Sequence, residues 1–239
     1  MNFDIRAVTL DLDDTLWPFA PIGARIEQVM HAWLEQHSPA TAEQFPIEVM
    51  RTLREQVFAD NPQLIHDLSA LRKLTLEQAL RRSGADMALL DPAFEIFYAE
   101  RNKVQCYPDA IDALARIAAR VPVAALTNGN ADLARCGLDH HFVFQLGSRE
   151  HGAAKPEASI FHAACEQLEL PPVQVLHVGD HAVMDVAGAV RAGLRACWLN
   201  REGATWPLDE LQPDLEFATL AALADWLDAH LDTKDTVAA

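Results

Sequence analysis

The chain has 239 residues and a formal net charge of −16, from 35 acidic against 19 basic side chains. Half of its residues are hydrophobic and 23% are charged, enough apolar material for one large domain or two modest ones. So acidic a surface repels nucleic acid and anionic membranes, and any anionic ligand must meet local positive charge at a metal, a lysine, an arginine or a helix N-terminus.

Met1-Asn2-Phe3-Asp4 lacks a signal pattern, and no apolar run reaches spanning length. Cys106, Cys136, Cys165 and Cys197 show no Cys-x-x-Cys spacing, so buried free thiols in a reducing compartment are expected. The expectation is a cytoplasmic protein with no membrane and no nucleic-acid partner.

The first strand-like run is Ala7–Leu10, followed at once by Asp11-Leu12-Asp13-Asp14-Thr15. From Pro21 to Val104 the pattern is helical, with an expected apolar stripe of Ile22, Ile26, Val29 and Trp33. Further helices are expected over Glu48–Ala59, Thr75–Ser83 and from Asp91 to Val104. Strands are then expected at Val123–Leu126, Phe142–Phe144, Val175–Val178 and Ala196–Leu199. Between them lie helical patterns at Asp109–Ala119, Pro156–Leu168 and Ala182–Ala192, the last with Ala187, Gly188 and Ala189 small enough for close packing against a sheet. A closing helix over Leu220–Leu231 carries Thr219 as its N-cap, and Thr233–Ala239 reads as a frayed tail. Strand–helix alternation of this kind predicts an α/β fold with a parallel sheet covered on both faces, interrupted by a helical insertion.

The chemistry-bearing residues cluster at expected strand ends. Asp11 and Asp13 stand two apart, so an extended segment turns both carboxylates one way, where they repel and invite a cation. An acidic turn is the alternative for this stretch, and Asp14 reads as a turn residue. Thr127-Asn128-Gly129 offers a hydroxyl, an amide and a turn to an anionic oxygen, or a polar helix cap. Lys155 precedes Pro156 at a helix start, where a cation is misplaced unless it faces an anion; otherwise it is a surface lysine. Gly179-Asp180 ends the fourth strand, with Asp185 five residues on as a further ligand or a helix-start charge. In open α/β sheets, ligands bind at that edge.

In this order the four motifs resemble the haloacid dehalogenase (HAD) superfamily. The resemblance implies a Rossmann-like parallel-sheet core over residues 1–20 and 105–239, with a type-1 helical cap over 21–104. It implies that Asp11 attacks phosphorus and forms an aspartyl-phosphate, that Asp13 acts as acid and then base, and that Mg²⁺ is bound by the Asp11 carboxylate, the Asp13 backbone carbonyl and Asp180, with Asp185 in support. Thr127, the Asn128 backbone and Lys155 are implied to hold phosphate oxygens. Asp13 favours a phosphatase over a dehalogenase, whose halide leaves without a proton; a phosphomutase shares that acid. A phosphate-sensing protein is the non-enzymatic alternative.

The Asp-Asp-Thr-Leu-Trp start, Leu126–Ala131 and His177–Asn200 look like bacterial phosphatases acting on FMN and on 5-amino-6-(5-phosphoribitylamino)uracil. The expected partner is therefore a small phosphorylated metabolite, handled by a monomer or homodimer. In the cap, Arg72 is a candidate contact to a substrate anion, or a surface salt bridge to Asp67 or Glu77. Trp17 or Phe19 could stack on a flat ring or fill apolar space. His181 could tune a metal site, titrate near neutrality or face solvent.

Overall fold

The computed structural model describes residues 4–231, so the N-terminal Met1-Asn2-Phe3 and the expected tail at Thr233–Ala239 lie outside the described residues. Six strands form one sheet, all pairings parallel: β1 Ala7–Leu10, β2 Val123–Thr127, β3 Phe144–Gly147, β4 Val175–Gly179, β5 Arg195–Leu199 and β6 Leu215–Phe217. Their spatial order is β3-β2-β1-β4-β5-β6. The chain builds outward from β1 in one direction through β2 and β3, then returns to its other side for β4, β5 and β6. β1 and β4 are thus neighbours where the winding reverses, and a crevice opens there at the C-terminal strand ends.

β1, β2 and β4 are buried along their whole length, as apolar runs without alternation demand. Helices Ala158–Gln167 and Gly188–Arg191 pack Ile160, Phe161, Ala164 and Ala189 against Leu126, Val175 and Ala196 of the sheet. Gly188 is required there: a Cβ on it would lie 2.8 Å from the Phe161 ring and 3.0 Å from the Pro156 backbone. Its small side makes room for the neighbouring helix start rather than for the sheet. Helix Ala110–Ala118 packs with the closing helix Leu220–His230, where Thr219 accepts the Ala222 N–H at 3.1 Å as the N-cap.

Several elements differ from the sequence expectation: the helix expected over Thr75–Ser83 begins at Leu68, and the one expected from Asp91 to Val104 ends at Arg101. The third strand begins at Phe144, two residues later than the apolar run, and Val143 just before it is exposed. β6 is a three-residue edge strand, Leu-Glu-Phe, too short and mixed to stand out.

Contacts divide the chain into two compact units: 4–18 with Gln105–Gly129 and 137–231, and Phe19–Val104 with Asn130–Cys136. The second is helical, with main helices Phe19–His37, Ile47–Asp60, Leu68–Arg82 and Leu90–Arg101. The buried stripe of its first helix is Ile22, Ile26, Met30 and Leu34, not the expected Val29 and Trp33. Steps of four keep one line facing the other helices, whereas Val29 and Trp33 lie beside that line and are only partly buried. Asp67 caps Leu68–Arg82 by accepting the Ala70 N–H at 2.8 Å. No helix among the described residues is long and apolar enough to cross a membrane. Cys165 and Cys197 are buried thiols, and Cys106 and Cys136 are partly buried thiols outside any disulfide.

Candidate active site

β1 delivers Asp11 to the crevice. Its backbone N–H continues the ladder to the Val178 carbonyl at 2.9 Å, so the carboxylate leaves the sheet beside the end of β4. The chain then folds tightly. Asp14 adopts a left-handed φ of 57°, which aspartate tolerates, and donates its N–H to the Trp17 carbonyl at 2.7 Å. The Asp13 carboxylate accepts the Trp17 indole N–H at 2.8 Å. Trp17 is fully buried in this turn, so of the two readings the ring fills apolar space and does not stack on a ligand, and its N–H also fixes the second carboxylate. Phe19 belongs to the helical unit, where it lies beneath the Arg101 guanidinium.

Lys155 is the opposite of a surface lysine. It is 3% exposed, and its ammonium donates to Asp11 Oδ1 at 2.6 Å, to Asp185 Oδ1 at 2.6 Å and to the Leu126 carbonyl at 2.8 Å. Three acceptors satisfy its three protons. Asp185 is tied on both oxygens: Oδ1 also meets His177 Nε2 at 3.2 Å, and Oδ2 accepts the His181 N–H at 2.9 Å. A carboxylate only accepts, so His177 Nε2 carries the proton. Burial lowers the His177 pKa and keeps the ring neutral, which leaves Nδ1 to accept the Thr9 hydroxyl at 2.9 Å. A buried chain thus runs Thr9, His177, Asp185, Lys155, Asp11.

Charge in the cluster is unevenly shared. Burial raises the Asp11 pKa well above the usual carboxylate range; Lys155 opposes this, and the Asp185 and Asp180 charges add to it. Asp185 is buried too, yet Lys155 and the His177 hydrogen bond hold it below that range. Burial and then the Asp185 charge push Asp180 up to about 7, against the Thr15 hydroxyl that donates to its Oδ1 at 3.0 Å. One oxygen each from Asp11, Asp180 and Asp185 lies within 4.8 Å of the others. The Asp13 side chain is not in this group. All-oxygen donors of like charge at this spacing suit a hard divalent cation.

Gly179 leaves room for the arrangement. A Cβ there would sit 2.3 Å from the Asp185 carboxyl carbon. Gly179→Ala should therefore displace Asp185, loosen Lys155 and cost about 1–3 kcal/mol of stability, read from denaturant unfolding. An unchanged unfolding midpoint would show that the loop adjusts freely.

At the end of β2, Thr127 Oγ1 accepts the Gly129 N–H at 2.9 Å. The Asn128 amide makes a reciprocal pair with the Lys155 backbone, donating to its carbonyl at 2.9 Å and accepting its N–H at 2.8 Å. The Asn128 side chain is thereby committed to holding the lysine loop. His181, left open by the sequence, is a helix cap: Nδ1 accepts the Val183 and Met184 N–H groups at 3.2 Å each. The segment Ala182–Ala187 that follows winds in the wider π form, with the Val186 N–H reaching back to the His181 carbonyl.

Sequence reasoning brought together Asp11, Lys155, Asp180 and Asp185, with Thr127 and Asn128 at the neighbouring strand end. It missed Thr9 and His177, and also Arg201, whose guanidinium grips the Thr15 carbonyl at 3.0 Å and Asp109 at 3.0 Å. A polar residue inside an apolar strand was the available signal for His177. Arg72 lies in the helical unit. It pairs with neither Asp67 nor Glu77: the first caps its helix and the second is bound to Arg81. Its guanidinium stacks on Phe97 at 4.7 Å.

Comparison with known proteins agrees with this geometry. The family model for haloacid dehalogenase-like hydrolases matches residues 5–193. The chain is 34% identical over 227 residues to the Escherichia coli 5-amino-6-(5-phospho-D-ribitylamino)uracil phosphatase YigB, covering 92% of this chain and 94% of that one. It is 36% identical over 155 residues to a phosphoserine phosphatase of Thermus thermophilus, covering 62% of each. Among solved structures, one titled 2-haloacid dehalogenase, from Pseudomonas syringae pv. Tomato, superposes with a TM-score of 0.87 at 36% identity, over 94% of this chain and 99% of that one.

Proposed function

Because the chain belongs to the haloacid dehalogenase-like hydrolases, we propose that it is a Mg²⁺-dependent phosphatase of small phosphate monoesters, with a ribityl or flavin phosphate of riboflavin metabolism as substrate. The observation that carries this reading is the buried Asp11 carboxylate held on the Lys155 ammonium, two residues before a second acid that is fixed by its own hydrogen bond.

In this reading Asp11 attacks phosphorus as the ester oxygen departs, and Asp13 gives that oxygen its proton. The product alcohol leaves an aspartyl-phosphate. Asp13, now a carboxylate, takes a proton from water; the water oxygen bonds to phosphorus, the acyl-phosphate bond breaks, and Asp11 returns with inorganic phosphate released. Lys155 stays protonated throughout and offsets charge on the phosphoryl oxygens, joined by the Thr127 hydroxyl and the backbone at Asn128. Asp185 uses both oxygens to fix Lys155 and the Asp180 loop, so its part is chiefly positional.

Asp11 and Asp180 would hold Mg²⁺, with Asp185 as the third carboxylate of the cluster and the Asp13 backbone carbonyl as a further oxygen that the family resemblance implies. When bound, the cation would supply positive charge that favours the ionised form of two carboxyls whose pKa burial raises. Mg²⁺ affinity should accordingly rise with pH until Asp180 is ionised near 7.

The name of the Pseudomonas structure raises a second reading, displacement of halide from a haloacid. Asp13 argues against it, since a departing halide takes no proton. The test is release of inorganic phosphate from FMN, the ribitylamino-uracil phosphate, phosphoserine, sugar phosphates and nucleotides, with Mg²⁺ and with chelator, beside halide release from chloropropionate. A strong Mg²⁺-dependent preference for the two flavin-pathway esters is expected. Broad, weak release would keep the phosphatase and remove the substrate; halide release without phosphate release would overturn both.

A further inference from the structure

Thr9 and His177 are buried polar residues that no step of the proposed reaction uses. They face each other directly across the β1–β4 pairing, and the Thr9 hydroxyl meets His177 Nδ1 at 2.9 Å. Alternate residues of a strand share a face, so Asp11 lies one step beyond Thr9, and Gly179 one step beyond His177, on that same face. Gly179 has no side chain, and the Asp185 carboxyl occupies the space that a Cβ would fill. There His177 Nε2 meets Asp185 Oδ1 at 3.2 Å, on the oxygen that also accepts from Lys155. The His177 side chain is wholly buried, and the Phe161 ring closes on it edge to face at 5.1 Å.

A lysine needs such support. Its charge stands at the end of a flexible four-carbon stem, so its acceptors decide where the charge sits. Of the three acceptors of Lys155, the Leu126 carbonyl is uncharged, and Asp11 gives up its carboxylate charge on becoming an acyl-phosphate. Asp185 is then the charged side chain left to hold the ammonium. It stands in the π turn Ala182–Ala187, a less regular support than a strand. Its Oδ2 is fixed by the His181 N–H, and its Oδ1 is shared by Lys155 and His177. His177 thus ties the lysine-bearing oxygen to the sheet. Thr9, by donating to Nδ1, keeps the imidazole proton on Nε2, where Asp185 accepts it.

We propose that Thr9 and His177 are positioning residues: by pinning Asp185 to the sheet, they hold the Lys155 ammonium in place while Asp11 bonds to phosphorus. The proposal rests on the phosphatase reading above. Neither residue touches the reacting atoms. Lys155 meets the phosphoryl oxygens most strongly as charge gathers on them, so a misplaced ammonium lowers kcat with little change in KM. A shift of about 1 Å in such a group can cost on the order of 10²-fold in rate.

Initial rates with p-nitrophenyl phosphate and Mg²⁺, beside ¹⁵N-histidine NMR of the full chain in chelator, test this. His177→Leu should lower kcat about thirty-fold with KM within about three-fold of wild type, and His177→Gln, whose amide N–H can still reach Asp185, should recover most of the loss. Thr9→Val, of nearly the same shape, should lower kcat about three-fold and turn the single Nε2–H signature of His177 into a mixture of both tautomers. Folded His177→Leu with kcat within about two-fold of wild type, or His177→Gln no faster than His177→Leu, would overturn the proposal. If His177→Leu does not fold, the wild-type spectrum and Thr9→Val decide. A proton on Nδ1 in wild type, or Thr9→Val with wild-type kcat and an unmixed spectrum, refutes it. Wild type that releases no phosphate from any ester would sink the phosphatase reading and the proposal with it, whereas failure of the positioning role alone leaves wild-type turnover intact.

Discussion

Asp11→Asn should lower phosphate release by about 10⁴-fold or more while leaving the protein folded. Asparagine has the same shape and can still accept from Lys155, but its amide oxygen does not form an acyl-phosphate. Stability should not suffer. Burial raises the Asp11 pKa, so the folded state holds a proton that the unfolded chain gives up above about pH 4. Where the folded state binds more protons, stability falls as pH rises, and the neutral amide removes that slope. In chelator at neutral pH, Asp11→Asn should therefore melt at or above the wild-type temperature. Acid quench with radiolabelled ester should trap a phosphoryl-enzyme in wild type and none in the variant. Turnover within ten-fold of wild type would place the nucleophile elsewhere, and lost turnover with a large fall in melting temperature would mean unfolding.

Lys155→Met is expected to be the most destabilising single change at this edge of the sheet, by about 3–5 kcal/mol at neutral pH, because it leaves the Asp185 carboxylate buried without a counter-charge. The pH dependence separates charge from packing. Lys155 has a raised pKa, so its contribution is complete below the usual lysine value and is lost only at still higher pH. Asp185 has a lowered pKa, so its contribution is present above the usual aspartate value and is lost as pH falls through the lowered one. The pair thus stabilises fully between about pH 4 and 10. In the variant both carboxyls titrate upward. The deficit against wild type should be widest from about pH 7 to 9 and narrow toward pH 5 as they take protons. Urea unfolding at three pH values reads this directly. A deficit constant with pH would assign the loss to the buried lysine stem and not to its charge.

The edge of the sheet was legible because its chemistry is local. Asp11, Thr127 and Asp180 each follow an apolar run directly, and parallel strands bring such ends together without any knowledge of partners. The residues that tune the edge were not legible. His177 is one polar letter in Val-Leu-His-Val-Gly, and nothing in the strand says that Asp185 returns from the next helix to meet it. The task of the Asn128 side chain was not legible because its partner is a backbone 27 residues away. Trp17 stayed open between stacking and filling because sequence does not reveal that its indole N–H turns back to Asp13. The helical unit suffered from drift: two stripes of a helix separated by one position look alike until a neighbour selects one.

The Asn128 pairing has a bearing on how the protein ages. Asn128 precedes Gly129, the pairing in which an asparagine side-chain carbon is most open to attack by the next backbone nitrogen, with ammonia lost and an aspartate or its isomer left behind. That attack needs the amide turned onto the Gly129 nitrogen. In the folded chain the amide is engaged on Lys155, and the Gly129 N–H is directed to Thr127. The contacts that set the lysine therefore also slow a chemical clock, which runs freely only while the chain is unfolded. Once it has run, the resulting carboxylate loses the donor that met the Lys155 carbonyl. Each excursion out of the native state leaves some molecules unable to rebuild this edge, so long-term activity depends on unfolding events already past as well as on present stability.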